Sequence, residues 1–419
     1  MRAIVLALSA LLVVAACGKA AESPVPASGQ YRLYVAATTR SDSVVAVINS
    51  RSHAVERRLP LGVTSADWRH LYTAIGSRLT DIDPRSGATL HTLRLPGDYH
   101  LPFTTMNGLP GGLSPNGRWL VVQAFDDTTQ GPPKASHLLV IDTSYAKAPV
   151  RIDLPGAFEF DAVSNDGKRV FLIEVVSSAS YRVRLYDVGM GLNPNVIVDK
   201  TDGNEAMTGQ RLSGVPSPDG QWLFSLYVRE HDSPFIHALN LDNAFALCLD
   251  LPGSGYATDS NALRWSLAMS ADGARLFVAN GTLGKVSEIS NPSNGGPSLV
   301  RTAKLGMTTA STNWFVNDVE AKEIGMGATL LSRDGRTLVT TGATGIVWID
   351  TATMQSRRTE MSTWRVAGLA LSPDGQTLYA VNDGGMIAEL PMAGGQGPTF
   401  AGAPGPLALL RVEPVLQSP

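Results

Sequence analysis

The sequence predicts an all-β chain folded as a single β-propeller of four-stranded antiparallel blades, on three observations. One turn phrase, Ser-x-Asp/Asn-Gly, begins at Ser114, Ser164, Ser217, Ser270, Ser332 and Ser372. Every copy leads into an apolar run: SPNGRWLVV, SNDGKRVFL, SPDGQWLFS, SADGARLFV, SRDGRTLVT and SPDGQTLYA. The copies stand 40 to 62 residues apart in a chain of 419, the spacing at which one small unit buries its apolar faces against the next. Continuous helical periodicity is absent over most of the chain, while short runs of branched and aromatic residues recur between turn signals.

Within a unit, each element has a local cause. An apolar stretch such as VAGLALSPDG forms the inner strand. Ser suits the first position of a type I turn, Pro presets the next φ, and Gly takes the positive φ that closes it. A β-run such as QTLYAVN follows. The next runs, VVAVIN, LTDID, LLVID, VRLYD, HALNLD, VSEISN and IVWID, exit on Asn49, Asp83, Asp142, Asp187, Asp242, Asn291 and Asp350. Short Asx side chains there bond the following backbone and start a turn. A last run, as in ERRLPLG or HTLRLPG, completes four strands.

Counting units favours eight blades, with seven as the alternative. Ser65, Ala66, Asp67 and Trp68 form a degraded copy of the phrase in which Trp68 replaces Gly, so its turn is expected to be built differently. Ahead of it, RLYVAAT, SVVAVIN and VERRLPL supply three strands with no inner one, and PLALLRV from Pro406 resembles the missing strand. Pairing of the two terminal strands closes the ring and removes sheet edges.

Residues 1–17 have a charged start and an apolar run too short to span a bilayer, ending in Val14, Ala15, Ala16 and Cys17. This resembles the lipobox of bacterial lipoproteins, which implies lipidation of Cys17. Residues 18–30 are small, polar and proline-bearing and read as a flexible tether to a propeller over 31–419. The implied address is the bacterial cell envelope, on the periplasmic side of the outer membrane or at the cell surface; Gly18 after the cysteine permits outer-membrane sorting. Of the two cysteines, only Cys248 then remains, so no internal disulfide is expected, and its apolar strand context reads as a small buried hydrophobe. A net charge of −3 without a basic face argues against nucleic acid as a partner.

The LYVAATTRSDSVVAVINSRSHAVERRLPLG segment resembles the YVTN-type β-propeller repeat, and LSPDGQTLYAVN is similar to TolB-type and WD-repeat-like blades. The resemblance covers nearly the whole mature chain but is architectural, and such families include binding proteins, scaffolds and lactone hydrolases.

The chain lacks a G-x-S-x-G elbow, an H-E-x-x-H pair, a P-loop, a C-x-x-C-H haem motif and a complete G-x-G-x-x-G. Ser144 and Lys147 form an isolated S-x-x-K best read as a turn, and Asp81, Asp83 and Ser86 lack the bidentate Glu of a calcium loop. The seven His residues show no ligand spacing, and no catalytic residue, metal or cofactor is expected. Function is sought in the long connections 97–112, 200–214, 253–264 and 306–327. In the last, Asn317 and Glu320 suggest a capped helical turn running to Ile324, placed as a lid.

Arg211 and Arg264 each stand six residues before a turn serine, so they occupy equivalent places on successive inner strands; Arg365 is one residue out of that register. These three define an anion-recognising pocket walled by Tyr99, Tyr256, Trp314 and Trp364, because guanidinium forks suit carboxylate or phosphate. The competing reading pairs the arginines with Glu205, Asp259 or Asp318. The favoured function is a membrane-anchored, non-enzymatic binding or protein-interaction module for another envelope protein or a small anionic ligand. The alternatives are a lactonase-like hydrolase using Asp98, His100, Glu159 and Asp161, or a purely structural envelope component.

Overall fold

The computed structural model describes residues 29–40, 42–126, 131–177, 180–199, 206–306 and 327–415. Among them, eight antiparallel sheets form an eight-bladed propeller, which settles the count against seven. The lipobox and most of the tether lie outside the described residues.

Blade 1 pairs Val55–Pro60, Ser43–Asn49, Tyr31–Thr38 and the C-terminal Pro406–Pro414 in that order. The terminal strand runs antiparallel beside the first, with Arg32 opposite Glu413, Leu33 opposite Val412 and Val35 opposite Leu409. Blade 2 runs Val63–Thr64, Leu71–Ile75, Arg78–Ile82 and Thr89–Arg94. Blade 3 has three full strands, Trp119–Phe125, Ala135–Asp142 and Val150–Pro155; its inner edge is made by Gly112, whose carbonyl accepts from Val121 N, and by Leu113 bridged to Leu120.

The inner strands of blades 4 to 8 are Phe158–Val163, Gln210–Pro216, Ser266–Met269, Thr329–Leu331 and Val366–Leu371. Each is followed by its own three outer strands. Gly368 is required in the last, since a Cβ there would stand 2.4 Å from Leu409 N of the closing strand.

Alternating residues of each strand face opposite neighbours, so the core is not central but divided among the seams between blades. Trp222, Phe224, Leu226 and Val228 pack toward blade 6, whereas Tyr227 between them packs toward blade 4. Eight apolar clusters result, and the one holding Leu33, Val35, Tyr379, Val381 and Leu409 seals the seam where the chain ends meet.

The Ser-x-Asp/Asn-Gly phrases fold alike. The serine hydroxyl donates to the Asx carboxyl or amide oxygen at 2.5–2.7 Å, and accepts from the backbone N–H five residues on at 2.9–3.1 Å. The same Asx oxygen accepts the N–H two residues on. Turns also touch: Asn165 Oδ1 accepts from Asn116 N at 2.9 Å, and its amide stands where a side chain on Gly220 (φ +72) would need to be.

Three expectations are corrected. Trp68 does not force a different turn; it adopts the left-handed φ of +57 itself, and Ser65 and Asp67 make the usual bonds. Its indole compensates for the strain: it is 4 % exposed, edge-on to Tyr34 at 5.0 Å. In blade 5 the turn-starting side chain is Asn240 rather than Asp242, because Asn240 Oδ1 accepts from the backbone of Asp242 and Asn243. Asn291 also departs, donating to Gly273 O instead of starting a turn. Asn49, Asp83, Asp142, Asp187 and Asp350 act as expected.

Trp68→Ala should destabilise the ring by about 4 kcal/mol through the cavity it leaves. Trp68→Gly should be less damaging by about 1 kcal/mol, since glycine carries no Cβ penalty at that φ; thermal unfolding of both variants checks the order.

Asp142 is buried and takes two bonds from Arg118 and two from Ser144, and the Arg118 guanidinium above all holds its carboxyl down to about 2. A depressed carboxyl contributes stability above its unfolded value, and that contribution is lost as pH falls through the folded one. Asp142→Asn should therefore lower the melting temperature at pH 7, and the gap to the parent protein should narrow from pH 4 toward pH 2.

Candidate functional site at the loop face

The inner strands end on the turns at one face of the ring and receive the long connections at the other, the loop face. Four inner strands carry bulges near that face, between Phe160 and Ala162, Arg211 and Ser213, Val366 and Gly368, and Pro406 and Ala408. A bulge re-aims a side chain. The extra residue of the first is Asp161, which is 4 % exposed and receives Arg211 Nη1 at 2.5 Å from the next blade. Arg211 Nη2 also donates to Phe103 O at 3.2 Å, tying the 97–112 connection to the pair. Burial pushes the Arg211 guanidinium down, but Asp161, Tyr227, Glu159 and Tyr181 together raise it above its ordinary value.

Beside this pair, Tyr181 and Tyr227 stack at 5.5 Å, and burial raises both phenols. With Glu159 and Gln210 they frame a crevice of about 230 Å³ between blades 4 and 5. Behind Tyr227, burial lowers His237, whose Nδ1 lies 3.7 Å from Cys248 Sγ. Cys248 is half-buried against that seam, as a small hydrophobe would be.

Arg264 ends the short 3₁₀ helix Ser260–Arg264. Asp259 does not pair with it; its carboxylate caps that helix, accepting from Asn261 N at 3.0 Å and Asn261 Nδ2 at 2.9 Å. Arg264 is half-buried, and burial together with the nearby charge of Arg365 lowers its guanidinium. Among the described residues neither Arg264 nor Arg365 forms an ion pair. Arg264 and the exposed Arg365, from blades 6 and 8, thus lie near enough for one charge to act on the other, with neither in an ion pair among the described residues.

The remaining expectations divide. Tyr256 stands at this face, its hydroxyl 3.4 Å from Gln210 Nε2, and Trp364 is half-buried beside Arg365 over the seam of blades 7 and 8. Tyr99 is corrected: it is buried in the apolar seam of blades 2 and 3 with Tyr72, Leu101 and Leu120, so it is a core residue rather than a pocket wall. Trp314, the 317–324 lid, and Glu205 and Asp318 lie outside the described residues. Arg211 belongs to a separate, internally neutralised pair, whose partner Asp161 was expected as a hydrolytic carboxylate.

Elsewhere, His100 Nδ1 lies 3.0 Å from Leu101 O. Asp83 holds Arg85 N and the Ser86 hydroxyl as a plain turn, and Ser144 bonds Asp142. Among the described residues no three His, Cys, Asp or Glu side chains stand close enough to share a metal ion.

Arg211→Ala should cost about 4 kcal/mol, because it leaves a buried carboxylate unpaired. Adding Asp161→Asn should restore much of that stability in a double-mutant thermal-unfolding cycle.

No family model and no curated protein matches the chain. Among solved structures, apo AztD from Citrobacter koseri is 10% identical over 92% of this chain and 97% of its own, with a TM-score of 0.55. A second crystal structure of Citrobacter koseri AztD is 12% identical over the same shares, with a TM-score of 0.53. The periplasmic gluconolactonase PpgL of Pseudomonas aeruginosa is 18% identical over 92% of this chain and all of its own, with a TM-score of 0.45. At these identities the likeness is one of fold alone.

Proposed function

We propose that this chain is an envelope lipoprotein of the YVTN or TolB-like kind, whose propeller binds a small anionic ligand at its loop face without transforming it. The observation that carries the binding reading is the approach of Arg264 to Arg365 with no carboxylate partner among the described residues. Holding two like charges together costs free energy, and an anion between them offsets that cost. Tyr256 and Trp364 supply aromatic surface at the same face.

The chemistry of the hydrolase candidates favours binding over catalysis. Asp161 is committed to Arg211, and Glu159 faces the crevice without a His or second free carboxylate beside it among the described residues. Membrane attachment rests on the residues around Cys17 and the tether after it.

Calorimetric titration of the full-length protein with succinate and with inorganic phosphate tests the site. One of them should bind saturably, and Arg264→Gln or Arg365→Gln should each weaken it about tenfold, about 1.4 kcal/mol. Unchanged affinity in both variants would remove the reading. Cys17→Ser should move the protein from the membrane to the soluble fraction and abolish its labelling by palmitate.

A further inference from the structure

The opposite, turn-bearing face holds a second cavity, of about 590 Å³, where the inner strands of blades 7, 8 and 1 end. Its walls mix polar surface with leucines: Leu330 from blade 7 and Leu371 from blade 8 are half-buried there, while Leu369 and Leu409 line it from the core. Its charged residues are Arg85, Arg333, Arg411 and Glu413. The volume is within the range of sites for small organic ligands.

The arrangement of charge is unusual. Glu413 is 7 % exposed, and both its oxygens are taken. Oε1 accepts from Arg411 Nε at 2.7 Å, and Oε2 accepts from Arg85 Nη2 at 3.0 Å and Nε at 3.3 Å. One buried carboxylate therefore holds two guanidiniums in place. Arg333, the third, has no ion pair among the described residues, and its stem lies against Gly375, 3.1 Å from where a Cβ would stand. Three cations and one anion share this lining.

Such a surplus of fixed positive charge repels cations and gains nothing from a neutral molecule, whereas the leucine walls gain nothing from a bare inorganic ion. We infer that the turn face carries a binding site for an organic anion with an apolar body, its carboxylate or phosphate held by Arg333 and Arg411 and its body laid on Leu330 and Leu371, two leucines of the lining that are only half-buried. Glu413 is a positioning residue: it orients Arg85 and Arg411 before the ligand arrives, so less side-chain freedom is lost on binding. This site is separate from the loop-face arginines. Arg365 precedes the strand Val366–Leu371 while Ser372 follows it, and six extended residues span about 20 Å.

The probes are 4-phenylbutyrate, its neutral analogue 4-phenylbutan-1-ol and inorganic phosphate, titrated calorimetrically into the full-length protein in a neutral detergent. The butyrate should bind at one site at least tenfold more tightly than the alcohol or phosphate. Arg333→Ala, at an exposed position, should weaken it about tenfold with no change in melting temperature, and Glu413→Gln should weaken it less. Arg264→Gln should leave it unchanged. Equal affinity for the alcohol, equal affinity for phosphate, no saturable binding, or loss in Arg264→Gln but not in Arg333→Ala would each overturn the inference.

Discussion

Each blade of this ring presents two apolar faces, and neither can be left in water. That constraint governs the molecule. A single four-stranded sheet of this kind has no core of its own; its Trp222 and Phe224 face one neighbour and its Tyr227 the other. Burial of apolar area is the dominant stabilising term in folding, and here it is available only when every blade has a neighbour on both sides. An open row would leave its first and last faces bare, so the chain must close on itself. It does so by lending its last strand to its first blade.

The repeated turn serves that geometry. Its hydroxyl and carboxylate bond local backbone groups and leave no orphaned donors at the hairpin, and the contacts between successive turns, such as Asn116 with Asn165, set neighbouring blades at a fixed approach. With the frame held, the ends of the inner strands become the variable parts. Bulges at blades 4, 5 and 8 turn Asp161, Leu212 and Ala367 out of the regular alternation, and the connections feeding blades 6 and 8 set Arg264 within reach of the charge of Arg365. Rigid blades thereby hold charges close that would separate on a mobile surface.

Architecture was legible because it depends on local rules. Ser, Asp and Gly at fixed offsets fold one way wherever they occur, and eight blades followed from their spacing once Pro406–Pro414 was assigned to blade 1. Trp68 misled for a local reason too: the left-handed penalty is real, but burial against Tyr34 exceeds it, and that contact lies in another blade. The site was only half legible. The register of Arg211 and Arg264 put both on inner strands, but Arg264 ends the 3₁₀ helix ahead of its strand, and the register could not reveal that Asp161, fifty residues upstream and displaced by a bulge, claims Arg211. Tyr99 looked like a loop aromatic because its seam partners, Tyr72 and Leu120, are distant in sequence. The turn-face arginines were missed altogether, since Arg85, Arg333 and Arg411 share no spacing and meet only through the ring's curvature.

The pairing of Tyr31 with Pro414 has a consequence for how the protein is made. Synthesis delivers the first three strands of blade 1 before the other seven blades and the fourth after them, so a nascent chain carries an unpaired β-edge at Tyr31–Thr38 until Pro406–Pro414 has been made. Pairing at such sequence separation is slow to find. The unfinished ring is therefore the form most exposed to association with other chains, and holding it until release is where a chaperone would act.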